Sequence, residues 1–246
     1  MKALILAAGQ GTRMGALTAN KPKCLVEFGG RSLLSRQMES LKAGGCDELA
    51  IVTGHGAQFL QSYGAILFHN ADYQKTNMVA SLMTAADWFK DNVIVSYGDI
   101  FYKPQIIFDL MRADADIAIA YDVNWKALWL ARFGDAYLDD AETFAFTGNQ
   151  LTAIGARSKN PADINGQYMG LLKFTPKGWD IWTNYYRSLS VRAPEGTKNG
   201  QDKIDMTMML NGLLKTGQRI AVVPNTGDWG ESDSATDLEF YQKKFG

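Results

Sequence analysis

The sequence predicts an α/β fold in which a mostly parallel sheet is flanked by helices. In the first half of the chain, short apolar runs alternate with longer segments of helical character. Strands separated by helices form right-handed βαβ units, and the strands of such units run parallel. Ligands of these sheets bind beyond the carboxyl ends of the strands. We therefore expect the functional residues at that edge.

The predicted elements follow one another along nearly the whole chain. Strands are predicted at 3–8, 49–53, 92–97, 117–121, 142–146, 151–154 and 220–223, with an apolar run at 168–174, and helices at 32–43, 78–90, 177–188 and 204–215. The turn Thr147-Gly148-Asn149-Gln150 joins two of these strands into a hairpin. A loop rich in Gly, Pro and Lys is expected around 193–200. Because no repeat, linker or low-complexity tract occurs, we predict a single domain over 1–246.

Composition excludes several classes of function. The 25 basic and 26 acidic side chains nearly cancel, whereas nucleic-acid-binding proteins usually carry a strongly basic face. Cys24 and Cys46 lack the spacing of a metal or redox site, and two histidines are too few for a histidine-rich centre. The apolar start at 3–8 is too short for a signal-peptide core or a membrane span. We expect a soluble cytoplasmic protein, monomeric or homodimeric, without nucleic-acid or membrane partners.

A glycine-rich motif, Leu6-Ala7-Ala8-Gly9-Gln10-Gly11-Thr12-Arg13-Met14-Gly15, follows the first predicted strand directly. Its glycines allow tight turns and let backbone N–H groups approach phosphate oxygens. Arg13 adds a positive charge suited to a triphosphate. A P-loop would need Lys-Ser/Thr in this frame, and a dinucleotide-binding fingerprint would need glycine where Met14 stands. Both patterns are absent, which leaves another phosphate-binding loop or a glycine-rich surface loop.

Three further segments follow this motif in order: Lys21-Pro22-Lys23-Cys24-Leu25, Gly98-Asp99 and Trp229-Gly230-Glu231-Ser232-Asp233. Together they resemble the signature of MobA-like and sugar-phosphate nucleotidyltransferases over nearly the whole chain. The resemblance implies a Rossmann-like mixed, mostly parallel sheet of the nucleotide-diphospho-sugar transferase type, with a small β elaboration on the acceptor side. It also implies that 1–115 binds the nucleoside triphosphate and that 116–246 supplies the acceptor site and metal ligands.

The chemistry implied by this resemblance is attack of a phosphate or phosphonate oxygen on the α-phosphorus of a nucleoside triphosphate, with pyrophosphate leaving. The acceptor oxygen is ionised at neutral pH, so alignment and charge neutralisation suffice without a general base. The implied catalytic residues are Lys23, at the α-phosphate and acceptor oxygens, and Arg13, at the pyrophosphate. The implied nucleotide-binding residues are Leu6, Ala8, Gly9, Gly11, Thr12, Arg13, Lys23, Asn77, Ser81, Gly98 and Asp99.

Three carboxylates are expected to hold Mg²⁺ as the cofactor. Asp99 follows a predicted buried strand, so it lies at the carboxyl edge of the sheet, and Glu231 and Asp233 project from the same face of an extended segment. Magnesium prefers such hard oxygen ligands and shares them with phosphate oxygens. Together they would clamp the triphosphate with one or two ions. The alternatives are a turn or helix cap for Asp99 and a solvated acidic loop for the pair.

The choice of nucleotide depends on two segments. Thr76-Asn77…Ser81-Leu82 and Gly166-Gln167-Tyr168-Met169-Gly170 are similar to the cytidylyltransferases for phosphocholine, aminoethylphosphonate and related small phosphates. The resemblance therefore implies CTP, although the residues alone do not separate CTP from UTP. In this interpretation Asn77 and Ser81 contact the base or ribose, and the alternative is a helix cap.

The acceptor site is expected around 122–129 and 139–142. Trp125, Trp129 and Tyr168 would form an aromatic face for an ammonium group, with Asp205 as a further contact. The spacing of the two tryptophans is equally typical of one helix face packed on the core.

The leading hypothesis is thus a cytidylyltransferase acting on a small phosphorylated acceptor, whose product would feed surface polysaccharide or lipid decoration. The alternatives are a sugar-1-phosphate nucleotidyltransferase using UTP, GTP or dTTP, and a catalytically silent nucleotide-binding regulator.

Overall fold

A nine-stranded sheet organises the chain in the computed structural model, which describes residues 1–191 and 201–245. The strands are β1 (Lys2–Ala7), β2 (Glu27–Phe28), β3 (Arg31–Ser32), β4 (Glu48–Thr53), β5 (Ile66–His69), β6 (Val93–Tyr97), β7 (Ile100–Tyr102), β8 (Ile117–Asp122), β9 (Glu142–Thr147), β10 (Gln150–Arg157), β11 (Gln167–Phe174), β12 (Ala221–Asn225) and β13 (Trp229–Glu231). The helices are α1 (Leu33–Ala43), α2 (Met78–Met83), α3 (Gln105–Arg112), α4 (Trp125–Phe133), α5 (Tyr137–Asp140), α6 (Pro176–Val191), α7 (Met206–Lys215) and α8 (Ala235–Phe245). The loop predicted around 193–200 lies outside the described residues.

The main sheet is mixed and mostly parallel, which confirms the predicted fold class. Its strand order is β5-β4-β1-β6-β11-β8-β12-β10-β9. The first four strands are parallel, β11 runs antiparallel between β6 and β8, and β12 is parallel to β8. The predicted hairpin of β9 and β10 adds two antiparallel strands at one edge. A separate antiparallel pair, β7 with β13, lies beside the carboxyl end of β6.

Two apolar layers, one on each face of the sheet, hold the helices in place. Along β1, Ala3 and Ile5 belong to one layer and Leu4 to the other, as the two-residue period of a strand requires. The layer of Ile5 receives α1, α3, α4 and α8, whereas the layer of Leu4 receives α2, α6 and α7. None of the helices in the described part of the chain combines the length and apolar character needed to cross a bilayer.

The structure corrects two predicted helices. The helix predicted at 78–90 ends at Met83, because the hydroxyl of Thr84 donates to the carbonyl of Ser81 at 2.7 Å and competes with the helical pattern. A short 3-10 turn follows at Ala86–Trp88. The helix predicted at 204–215 begins two residues later, at Met206.

Candidate active site

The glycine-rich loop lies at the carboxyl end of β1, and its conformation depends on two close approaches. Gly11 has φ +66°, and a Cβ there would lie 2.8 Å from the Cβ of Lys23. Gly98 directly follows β6, beside the end of β1, and a Cβ there would lie 2.5 Å from the carbonyl oxygen of Leu6. Because glycine has no side chain, the loop contacts Lys23 and the two strand ends pack together.

A cavity of about 320 Å³, here called the first cavity, opens at this edge of the sheet. All the residues predicted to bind nucleotide line it. Two of them also have structural roles: Asn77 caps α2 by accepting the N–H of Met78, and the hydroxyl of Ser81 accepts a hydrogen bond from Asn70 at 2.9 Å. The helix-cap interpretation of Asn77 is thus observed, while its contact with a base or ribose stays a prediction.

Lys23 bridges two carboxylates on one wall of the first cavity. Its Nζ lies 2.7 Å from Oδ2 of Asp99 and 2.7 Å from Oδ1 of Asp233. Arg13 donates to the same oxygen of Asp233 at 2.7 Å. Burial by itself lowers the pKa of Lys23, but the charges and hydrogen bonds of Asp99 and Asp233 outweigh it and raise that pKa above its ordinary value. The ammonium group is therefore charged throughout the neutral range.

The three predicted metal ligands come together in the structure. Oxygen atoms of Asp99, Glu231 and Asp233 lie within 4.8 Å of one another. The pairing of β13 with β7 brings them there, since Glu231 pairs with Ile100 and the N–H of Ser232 donates to the carbonyl of Asp99 at 2.9 Å. Among the described residues, Oδ1 of Asp99 is buried without a hydrogen-bond partner. Three hard oxygen donors, one of them unsatisfied, fit a magnesium ion.

Burial and the neighbouring carboxylates disfavour the charged form of Glu231. Desolvation, followed by the charges of Asp233 and Asp99, raises the pKa of Glu231 to about 8, against the lowering effect of Arg132 and Lys23. In the unfolded chain the same group titrates near pH 4.3. Since the folded state binds the proton more tightly, stability from this group is present below the unfolded pKa and is lost as the pH rises towards 8.

We expect Glu231→Gln to stabilise the metal-free protein in a pH-dependent way. The variant removes a charge that the cluster disfavours, and each kcal/mol gained raises Tm by about 2–4 °C in a chain of this size. The gain in Tm should be near zero at about pH 4, should grow up to about pH 8 and should then level off. Thermal unfolding in a chelating buffer across this range measures it. Glu239→Gln on the exposed side of α8 is the control, and a gain independent of pH would contradict the prediction.

A buried ion pair, Arg132 with Asp237, supports the backbone of Asp233. Arg132 on α4 donates to Oδ1 of Asp237 on α8 at 2.8 Å, and the two side chains are 0% and 5% exposed. Oδ2 of Asp237 accepts the backbone N–H groups of Asp233 and Ser234, each at 2.9 Å, and completes a capping box with Ser234. Burial by itself raises the pKa of Asp237, but the pairing with Arg132 and the hydrogen bonds from Asp233 and Ser234 hold it below the ordinary value. The backbone that carries the Asp233 carboxylate is therefore fixed.

A second cavity, of about 270 Å³, adjoins the first and shares four lining residues with it: Arg13, Met78, Tyr97 and Asp233. Three of the four residues predicted to bind the acceptor line the second cavity: Trp129, Tyr168 and Asp205. Asp205 also caps α7 by accepting the N–H of Met208 at 2.7 Å.

Trp125, the fourth of these residues, lies in the core, and its predicted contact with an acceptor has no support in the structure. This residue is 5% exposed and does not line the second cavity; its ring packs in the core against Tyr137, with centroids 6.2 Å apart. The four-residue spacing places Trp125 and Trp129 on the same buried face of α4, so the core interpretation holds for the first of them.

Sequence reasoning missed several residues that line the two cavities. Tyr73 and Tyr97 line the first, and Arg157 and Thr207 line the second. Tyr97 ends β6 immediately before Gly98, so its position at the strand end was a usable signal. Arg157 pairs with Glu142 across the β9–β10 hairpin, but no local pattern marks it, because the register becomes visible only once the hairpin is formed.

Comparison with known proteins finds a family model and several relatives to which the chain is similar. The model of the MobA-like NTP transferase domain matches residues 3–154. The CTP:phosphoglutamine cytidylyltransferase of Campylobacter jejuni is 33% identical, over an alignment that covers 99% of this chain and 100% of that protein. The choline-phosphate cytidylyltransferase of Streptococcus pneumoniae is 31% identical over 141 residues, which cover 56% of this chain and 61% of that protein.

A solved structure extends the likeness to the whole fold. The structure of the CTP:phosphocholine cytidylyltransferase from Streptococcus pneumoniae superimposes with a TM-score of 0.77 at 20% identity, covering 100% of this chain and 99% of that one. At this identity the superposition shows a shared fold.

Proposed function

The chain belongs to the MobA-like NTP transferase domain family, and we propose that it is a cytidylyltransferase that moves CMP from CTP onto a small phosphorylated or phosphonate acceptor. The observation that carries the proposal is the position of Lys23, which lies in the first cavity and is bonded to Asp233 on the wall shared with the second. The names of the relatives support CTP as the nucleotide and a phosphorylated small molecule as the acceptor.

In the proposed reaction, an anionic oxygen of the acceptor attacks the α-phosphorus of CTP in line with the departing pyrophosphate. One P–O bond forms to the acceptor, and the bond between the α-phosphorus and its bridging oxygen breaks. Lys23 neutralises the charge that develops on the α-phosphate and orients the acceptor, while Arg13 binds the pyrophosphate. Alignment and fixed cations supply the rate enhancement, so no side chain has to remove a proton.

The cofactor we propose is Mg²⁺, held by Asp99, Glu231 and Asp233. When bound, it would neutralise triphosphate oxygens and so favour the departure of pyrophosphate. The three carboxylates would orient it, and the hydrogen bond from the backbone N–H of Asp233 to Asp237 keeps one of the three in place.

Pyrophosphate release from CTP, UTP, GTP and dTTP, each paired with a panel of phosphorylated acceptors, tests the proposal. The panel includes phosphocholine, phosphorylated amino acids and glucose 1-phosphate, with magnesium or with a chelator. We expect release only with CTP, a non-sugar acceptor and magnesium. Release from UTP with glucose 1-phosphate, and none from CTP, would assign the chain to sugar activation instead.

A further inference from the structure

The three proposed magnesium ligands are not held in the same way. The carboxylates of Asp99 and Asp233 each bond to the ammonium group of Lys23 at 2.7 Å, and Asp233 also bonds to Arg13. The carboxylate of Glu231 has no hydrogen bond or ion pair with any residue that the structure describes. Cations therefore fix two of the ligands directly, whereas the place of the third depends on the backbone that carries it.

One side of that backbone faces α8 instead of a strand. β13 pairs with β7 alone, so its other side has no neighbouring strand to receive its N–H and C=O groups. The hydroxyl of Tyr241 takes this role, because it accepts the N–H of Glu231 at 3.2 Å and donates to the carbonyl of the same residue at 3.3 Å. A single phenol thus satisfies both backbone groups of this ligand.

Glycine at the preceding position permits this close approach. A Cβ on Gly230 would lie 2.4 Å from the ring of Tyr241 and 2.6 Å from the ring of Phe101. The two rings pack edge to face with centroids 4.9 Å apart, and Tyr241 is 0% exposed. Because closely packed core side chains stay in one rotamer, the hydroxyl is held in one place relative to β13.

The same face of α8 also supports Asp233. Asp237 and Tyr241 are four residues apart, the spacing that places two side chains on one face of a helix. Asp237 accepts the N–H of Asp233, and Tyr241 bonds to the backbone of Glu231. One turn of α8 therefore holds the backbone of both proposed ligands from this segment.

Building on the proposed magnesium site and cytidylyl transfer, we propose that Tyr241 is a positioning residue for Glu231 and, through it, for magnesium. Its hydroxyl acts through the backbone of Glu231 and is not itself one of the proposed ligands. Without the hydroxyl, Glu231 would lose its hydrogen bonds on the side of β13 that faces α8, and its carboxylate would be less well placed for the ion. Groups that hold metal ligands in place typically contribute about 10- to 100-fold to metal affinity.

Tyr241→Phe tests this role, because it removes the hydroxyl and keeps the ring that packs against Phe101. Magnesium chloride is titrated against the substrate-free protein, and the concentration that gives half the maximal rise in Tm is measured. We expect this concentration to be about 10-fold higher in the variant, the lower end of the range because the contact is with the backbone of the ligand. The magnesium concentration for half-maximal CTP turnover should rise by the same factor, with kcat at saturating magnesium nearly unchanged.

A double-mutant cycle with Glu231→Gln separates positioning from a general loss of stability. In the Glu231→Gln background the carboxylate is already gone, so adding Tyr241→Phe should leave the half-maximal magnesium concentration unchanged. Tyr102→Phe is the matched control, since the buried hydroxyl of Tyr102 donates to the side chain of Ser96 at 3.1 Å. It should lower Tm and leave the magnesium response intact.

The outcomes distinguish the positioning role from the proposals on which it rests. An unchanged magnesium response in Tyr241→Phe, or the same 10-fold rise in the Glu231→Gln background, overturns the positioning role while magnesium binding stands. If magnesium does not raise the Tm of the wild type, the proposed metal site is wrong and the positioning role falls with it. If magnesium binds as expected but CTP yields no pyrophosphate with any acceptor, the transfer reaction is contradicted and the positioning role is retained for the metal site.

Discussion

Lys23→Ala is expected to lower kcat for pyrophosphate release from CTP by about 10²- to 10³-fold, the usual cost of removing one fixed donor from a charged transition state. The loss has a second physical effect, because Nζ is the cation bonded to both Asp99 and Asp233. Without it, three carboxylates within 4.8 Å face one another with less compensation. The metal-free variant should therefore unfold at a lower temperature than the wild type.

The effect of magnesium on Tm distinguishes the catalytic role of Lys23 from its role in compensating the charges of Asp99 and Asp233. In the wild type, an ion approaching Asp99 and Asp233 competes with the ammonium group, whereas in Lys23→Ala it does not. We expect magnesium alone to raise Tm more in the variant than in the wild type. The matched control is Lys21→Ala, which removes a charge from the same Lys-Pro-Lys segment at a residue that does not line the first cavity. Near-wild-type turnover in Lys23→Ala would show that the catalytic centre lies elsewhere.

Asp237→Ala is expected to impair both stability and turnover. It leaves Arg132 buried without its carboxylate partner, which costs about 3–5 kcal/mol. It also removes the acceptor for the N–H of Asp233, so one proposed magnesium ligand loses its support. Thermal unfolding measures the first effect. The magnesium dependence of kcat measures the second, because a displaced ligand should raise the concentration needed for half-maximal rate.

A double variant distinguishes the buried charge from the positioning of Asp233. Arg132→Met with Asp237→Leu removes both charges, and such replacements are often neutral or stabilising. The double variant should regain much of the stability lost in Asp237→Ala without regaining its magnesium dependence. If it recovered both, the acceptor for the Asp233 N–H would have no positioning role. If Asp237→Ala were as stable as the wild type, the ion pair would not be a structural element at all.

The residues at the centre of the site could be predicted from the sequence because they occur in local patterns. The glycine-rich loop follows a buried strand, and Glu231 and Asp233 alternate on an extended segment, so strand ends and period predicted their convergence. The pair of Arg132 and Asp237 had no such pattern, since 105 positions separate the partners. Trp125 shows that a local pattern can also be insufficient. Its spacing predicted that it shares a helix face with Trp129, but only the packing of the folded chain decides which of the two lines a cavity.

The positions of β9 and β10 at one end of the strand order have a consequence for how such proteins diverge. β9 has a single neighbour in the sheet, whereas β1 and β6 lie inside it and are followed by the glycine-rich loop and by Asp99. Exchanges at partly exposed positions of an edge hairpin disturb fewer packed neighbours than exchanges beneath the first cavity. Substitutions at Glu142 and Arg157 should therefore cost less stability than substitutions in the central strands, so the wall of the second cavity can diverge while the glycine-rich loop and Asp99 are retained.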